Sequence, residues 1–181
     1  MSSLVLNGDT SGAVTVNVPS VAGTNTASLP AATGTVMVSG NMPAFMAYGS
    51  AQQSIANGVF TKIAFNTLTS PGFDTNSNYS TSNYRFTPTV AGYYQINSNI
   101  ATTASAAGLA FIAIYKNGSA YCYGNVVPNT NGGYITANGL VYCNGSSDYI
   151  EIYAYQNSGV SLNFGSSSSQ FQFSGSMVRA A

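Results

Sequence analysis

An antiparallel all-β sandwich or jelly roll is the fold that this sequence predicts, and three observations predict it. From residue 44 onward, apolar side chains recur at every second position, the period of a strand with one buried face. Turn signals separate these runs at regular spacing: Asn57-Gly58, Ala91-Gly92, Asn117-Gly118, Gly132-Gly133, Asn144-Gly145 and Ser158-Gly159. No window of useful length carries a helical period, and the Ala-rich stretch 101–110 is broken by Thr102, Thr103 and Gly108, which predicts a loop between strands.

Residues 1–43 hold no Tyr or Phe. Their clearest signal is Ala13-Val14-Thr15-Val16-Asn17-Val18, with Val14, Val16 and Val18 on one face. Thr35-Val36-Met37-Val38 is a second extended stretch, after the turn-like Pro30–Gly34. Too few large apolar groups are present to close a core. The expectation is a shaft or attachment segment that buries its valines against other copies of itself, followed by a globular domain over 44–181.

In that domain, Val59, Thr61, Ile63 and Phe65 share one face, opposite Lys62, Ala64 and Asn66. Tyr84, Phe86, Pro88 and Val90 alternate with Arg85, Thr87 and Thr89. Tyr94, Ile96 and Ile100 oppose Tyr93, Gln95, Asn97 and Asn99, and Phe171, Phe173 and Met177 oppose a Gln/Ser face. One-sided burial of this kind marks antiparallel sheets. Leu109–Tyr115 is apolar on both faces, which predicts a strand covered on both sides. In 149–156 the core face is Ile150, Ile152 and Ala154, which leaves Tyr149, Tyr153 and Tyr155 outside. With Phe111 and Tyr115 these rings form a candidate contact between subunits, since tyrosine offers both an apolar ring and a polar tip; a solvated tyrosine ladder is the plainer alternative.

Composition narrows the function. The chain has 181 residues, 4 basic and 4 acidic, with 13 Tyr, 9 Phe and neither His nor Trp. Only 4% of residues are charged, against about a quarter in an average domain, so solubility rests on Ser, Thr, Asn, Gln and Gly. Four scattered cations cannot form a phosphate-neutralising surface, which argues against nucleic acid. Without His, the ordinary neutral-pH base and the imidazole metal ligands are missing. No apolar run approaches the ~20 residues of a membrane span. The start lacks the pattern of a secretory signal, so synthesis in a cytoplasm is expected. Cys122 and Cys143 flank a Gly/Asn-rich stretch; they are either a bridge between strands or, the plainer alternative, two small thiols.

Enzymatic chemistry fares poorly. Asp148 and Glu151 are the one close acidic pair, and at three apart on a strand they point to opposite faces. A depolymerising site would need paired carboxylates from only Asp9, Asp74, Asp148 and Glu151, and no Gly-rich phosphate loop opens a helix. Neither a catalytic residue, a cofactor nor a metal site is expected. A binding role suits the residues better. The stretch Tyr121–Tyr134, with Tyr121, Tyr123, Asn125, Asn129, Asn131 and Tyr134, offers rings and uncharged hydrogen-bonding groups suited to glycans. For any single Asn there, turn formation is the plainer role.

Five segments in order resemble the globular head of complement component 1q and its tumour-necrosis-factor-like relatives. They are Asn57–Asn66, Tyr84–Ile96 with its aromatic-x-Pro-x-x-x-Gly-Tyr-Tyr run, Ile114–Gly118, Leu140–Tyr142 with Asp148–Ile152, and Phe171–Ser176. The resemblance spans 45–179 and implies a ten-stranded jelly roll assembled as a homotrimer. Low charge, the absence of an upstream collagen repeat and the lack of clustered carboxylates depart from that family, so its calcium sites are not carried over. Leu4–Gly12 and Pro19–Val36 resemble a stretch common in bacteriophage tail-fibre and related virion proteins, where it precedes a terminal head domain. Together these resemblances imply a trimeric tail-fibre or knob protein on the virion surface, joined to other virion proteins through residues 1–43 and meeting a host-surface glycan. A capsid fibre or decoration without an essential ligand is the alternative, and a depolymerising appendage a remoter one.

Overall fold

The computed structural model describes residues 3–7, 9–21, 23–26, 42–105, 107–165 and 170–181. The chain divides into two compact units, Met1–Val36 and Met37–Ala181.

Among its described residues the first unit contains one hairpin, β1 (Ser3–Asn7) antiparallel to β2 (Ala13–Asn17). Strand alternation and the register Leu4↔Val16 and Leu6↔Val14 place these four side chains on one face, opposite Val5, Asn7, Ala13, Thr15 and Asn17. The expected stretch Thr35–Val38 lies outside the described residues.

The second unit begins with β3 (Ala44–Tyr48), β4 (Gln53–Ile55), β5 (Thr61–Lys62), β6 (Phe73–Asp74), β7 (Tyr79–Ser80) and β8 (Arg85–Phe86). The long strands β9 (Gly92–Thr102) and β10 (Leu109–Lys116) follow, then β11 (Ser119–Tyr123), β12 (Val127–Pro128) and a single 3-10 turn at Asn129–Asn131. It ends with β13 (Gly133–Cys143), β14 (Ile150–Gln156), β15 (Leu162–Phe164) and β16 (Phe171–Ala180). Two antiparallel sheets result. The first runs β4-β15-β9-β16-β3-β6, with β13 on the free side of β9. The second runs β11-β10-β14-β8-β7, with β12 beside β10 and β5 beside β14.

The inner faces carry the expected residues. Tyr94, Ile96, Ile100, Phe171 and Phe173 from the first sheet meet Phe86, Ile112, Ile114, Ile150 and Ile152 from the second, all nearly or fully inaccessible. Phe45 sits at the aromatic centre, stacked on Phe86 at 4.3 Å and edge-on to Phe173 at 4.9 Å. Each fully buried ring of this kind contributes roughly 2–3 kcal/mol. Tyr79 and Tyr94 enter the same core because their hydroxyls donate to the Phe65 and Val90 carbonyls, at 2.8 and 2.7 Å; burial pushes both phenols well above the usual tyrosine range. Glycine is required where Phe171 packs, since a Cβ on Gly49 would lie 2.0 Å from its ring. Asn117 and Gly118 close the β10–β11 hairpin with positive φ at both positions, the demand of a type I′ turn.

One expectation changes, at Val59. Ile63 and Phe65 are buried, but Val59, which shares their parity, is exposed. Ladder pairing with β14 covers Thr61–Lys62, and Gly58 and Ile63 donate to the Gln156 and Ile152 carbonyls on either side of it. Strand β10 is covered on its core side by the sandwich, whereas its outer side is covered by rings of the same chain, described below. Cys122 and Cys143 are separate thiols; burial pushes Cys143 up to about 11, so it stays protonated at neutral pH.

Candidate interaction surfaces

Strands β10 and β14 pair with Phe111 opposite Tyr155, Ala113 opposite Tyr153 and Tyr115 opposite Glu151. Directly opposite residues share a face, so the outer side of this pair is a sheet of rings. Phe111 and Tyr155 lie 5.2 Å apart, and Tyr115 stacks on Tyr153 at 4.1 Å. Phe60 lies among them, 5.0 Å from Tyr155, 5.8 Å from Phe111, 6.1 Å from Tyr115 and 6.5 Å from Tyr123. Tyr123 itself stands 5.8 Å from Phe111. Two residue sets that the sequence keeps apart therefore meet here: Tyr123 from the candidate receptor stretch, and Phe111, Tyr115, Tyr153 and Tyr155 from the candidate subunit contact. Phe60 belongs to neither set in the sequence reading. Its parity with Lys62, outside the Ile63/Phe65 face, was the available signal.

Tyr149 is separate from this cluster. The Arg85 guanidinium lies over its ring at 4.0 Å. Arg85 and Lys62 both reach the Glu151 carboxylate, at 3.0 and 2.9 Å, and Glu151 is 2% exposed although it sits on the outer face. A carboxylate at that depth is tolerated because these two cations compensate its lost water. Asp148 serves elsewhere. It accepts from Asn117 at 2.7 Å, pairs with Lys116 at 2.9 Å and accepts from the Asn144 amide at 3.0 Å. The Asn117 and Lys116 hydrogen bonds, in that order, hold its carboxyl below the usual carboxylate range. Asp74 accepts from the Asn76 and Tyr79 amides. Glu151, Asp148 and Asp74 are thus structural staples in three separate places, and among the described residues no three His, Cys, Asp or Glu side chains gather.

The stretch Tyr121–Tyr134 is more ordered than a loop. It comprises the end of β11, β12, the 3-10 turn and the start of β13. Asn129 is fully buried, which removes it as a surface contact. Asn125 is spent on structure: its Oδ1 accepts from the Thr136 amide at 2.5 Å and hydroxyl at 3.2 Å. Asn131 closes the 3-10 turn. Tyr121, Tyr123 and Tyr134 stay at least half exposed and so remain open to contact. Tyr121 donates to the Leu140 carbonyl at 3.1 Å, and Tyr134 accepts from Gln170 at 2.9 Å, so two of the three rings are held in place.

The outer face of the first sheet differs in kind. Successive rows across β3, β16, β9 and β13 read Tyr48–Gln172–Asn99–Thr136 and Met46–Ser174–Asn97–Asn138. These short amides and hydroxyls line a shallow hollow. Toward one end the face turns apolar, with Tyr93, Leu140, Tyr142 and Val178 all exposed and Tyr93 5.4 Å from Tyr142.

No family model matches this chain, and no curated protein is similar to it in sequence. Among solved structures it is similar to the Eiger TNF of S. frugiperda, with a TM-score of 0.50 and 9% identity over 77% of this chain and 93% of that one. A further similar structure is the PRD1 vertex protein P5, with a TM-score of 0.46 and 16% identity over 76% of this chain and 96% of that one. The first likeness shows the fold: an all-β jelly-roll sandwich.

Proposed function

We propose that the chain is a surface protein of a bacteriophage particle: a homotrimeric jelly-roll knob that meets the host envelope, carried on residues 1–43. The observation behind this is the outer face of β10 and β14. A folded domain with only 4% charged residues keeps a connected set of six rings, Phe60, Phe111, Tyr115, Tyr123, Tyr153 and Tyr155, outside its core. Rings in such number on an outer surface favour contact with protein or sugar over contact with water. In this proposal Phe111, Tyr115, Tyr149, Tyr153 and Tyr155 face a sister subunit. Tyr121 and Tyr134 are left for a host-surface glycan, and Tyr123 lies on the border of the two. The sequence resemblance of residues 4–36 to virion shaft segments supports a place on the particle.

A second arrangement has its own support. The bare apolar end of the first sheet, at Tyr93, Leu140, Tyr142 and Val178, also needs cover, and trimer formation there would leave the ring face free for the host. Both arrangements bury rings and aliphatic groups, not charges, so the assembly should hold its mass between low and high ionic strength. Purified protein that competes with particles for adsorption supports host recognition. Specific antibody labelling of capsids together with unaffected adsorption would replace it with a capsid decoration.

A further inference from the structure

We infer that the outer face of the first sheet is a binding groove for a neutral oligosaccharide. Asn99, Asn138, Gln172 and Ser174 form its hydrogen-bonding floor, and Phe73 and Tyr134 stand as rings at its two ends. The inference rests on the host-recognition proposal above, keeps Tyr134 as a contact and gives the glycan a site away from Tyr121.

Strand register builds the groove. Met46 pairs with both Phe73 and Ser174, Ser174 pairs with Asn97, and Asn97 pairs with Asn138. Directly opposite residues share a face, so this row crosses β6, β3, β16, β9 and β13. Four inter-strand gaps make it roughly 19 Å long, enough for several linked sugar units. The row Tyr48–Gln172–Asn99–Thr136 runs beside it, and Tyr134 lies two residues from Thr136 on the same face of β13. Two hollows follow these rows. One, of about 120 Å³, is lined by Asn99, Thr136, Asn138 and Gln172; the other, of about 280 Å³, by Ala44, Met46, Phe73 and Ser176. Asn97 and Ser174 line both, which joins them into one groove.

The chemistry of the lining selects the occupant. Neither hollow is lined by a charged residue, so an acidic sugar or a phosphate finds no counter-charge. Asn99, Asn138, Gln172, Ser174 and Ser176 make no side-chain hydrogen bond to another described residue. Asn97 accepts from Gln95 at 3.3 Å and keeps its own amide donors for a ligand. Each amide offers donors and an acceptor, and each hydroxyl offers both. Sugar hydroxyls carry the same mixture and replace the water of this face bond for bond. An apolar protein surface would strip that water and return nothing. Phe73 and Tyr134 are each about half exposed, with ring area open to the C–H face of a sugar. The Gln170 amide holds Tyr134 at 2.9 Å, so this ring is positioned before a ligand arrives.

The test measures binding of the full chain to immobilised polysaccharides, with dextran, mannan and galactan as neutral probes and hyaluronate and polygalacturonate as acidic ones. The unaltered protein should be retained on a neutral probe and should keep that affinity at high salt, because no ion pair contributes. Asn99→Ala with Asn138→Ala should weaken the binding about tenfold by deleting two hydrogen-bonding groups. Ser174→Phe, which fills the groove where its hollows join, should abolish it. Both variants should keep the urea midpoint of the unaltered protein. Full binding in either folded variant overturns the inference; if Tyr121→Ala then abolishes the same binding, the host-glycan proposal stands at that other place. Retention on the acidic probes alone, or release by salt, overturns the inference and leaves recognition of a host glycan standing. Retention on no probe overturns it as well, and the host-recognition proposal falls with it only if purified protein also fails to block adsorption.

Discussion

The two outer faces of the sandwich follow the same alternation and yet have opposite characters. On the second sheet, outward positions of β10 and β14 are rings that pack on each other, with Glu151 held beneath two cations. On the first, the central outward positions of β9, β13 and β16 are amides and hydroxyls, and Asn99, Asn138 and Ser174 spend no side-chain hydrogen bond on another described residue. A ring face hides part of its apolar area within the chain and gains by hiding the rest. An amide face is already satisfied by water and gains little from dry contact unless its hydrogen bonds are replaced. Inner faces explain why the domain folds; outer faces decide what it touches.

That contrast can be broken most directly at the level of assembly. If the proposed trimer forms through the ring face, Tyr155→Asp should reduce the mass in solution threefold, to that of one chain, while Leu140→Asp at the apolar end of the first sheet should leave the mass unchanged. The reverse result, read by light scattering, would move the subunit contact to the first sheet. Next in size is Glu151→Gln. It leaves Lys62 and Arg85 facing each other without their carboxylate, and should cost about 2–3 kcal/mol in urea unfolding, below the full penalty of a broken buried pair because both cations are partly hydrated. A loss no larger than that of a surface substitution would show that the triad does not hold the ring face in place.

Acid sharpens the comparison away from both faces. The Asp148 carboxyl is held low in the folded chain, so its contribution is complete at neutral pH and is lost as pH falls below the ordinary aspartate value of about 4 toward its own lower one. The urea midpoint should therefore drop on acidification below that point, and Asp148→Asn should flatten the drop. An unchanged slope in the variant would assign acid sensitivity to another carboxylate. The smallest effect is expected on the amide face: Asn99→Ala should alter stability by no more than about 0.5 kcal/mol. A larger loss would mean that this face is ordered by a partner.

Much of the fold was legible in residue order, because strand parity is local. Tyr94, Ile96 and Ile100 announce a buried face from their spacing, and Tyr153 and Tyr155 announce an outer one. The candidate surface was legible only in fragments. Asn129 looks like any other Asn in a polar stretch, and its burial depends on how the 3-10 turn is packed against residues far along the chain, such as Ser105 and Gly108. Phe60 reads as one outward ring beside a lysine, and nothing near it in sequence points to Tyr155 or Phe111.

Sequence by itself determined the alternation, the turns, the near-absence of charge and hence which side chains leave the core. Tertiary structure alone decided which strands became neighbours: β14 beside β10, and β13 beside β9. The physical reason is that the period of a strand is set by bonds between adjacent residues. The assembly of a face, by contrast, is set by hydrogen bonds between strands tens of residues apart, whose partners are chosen by the packing of the whole core.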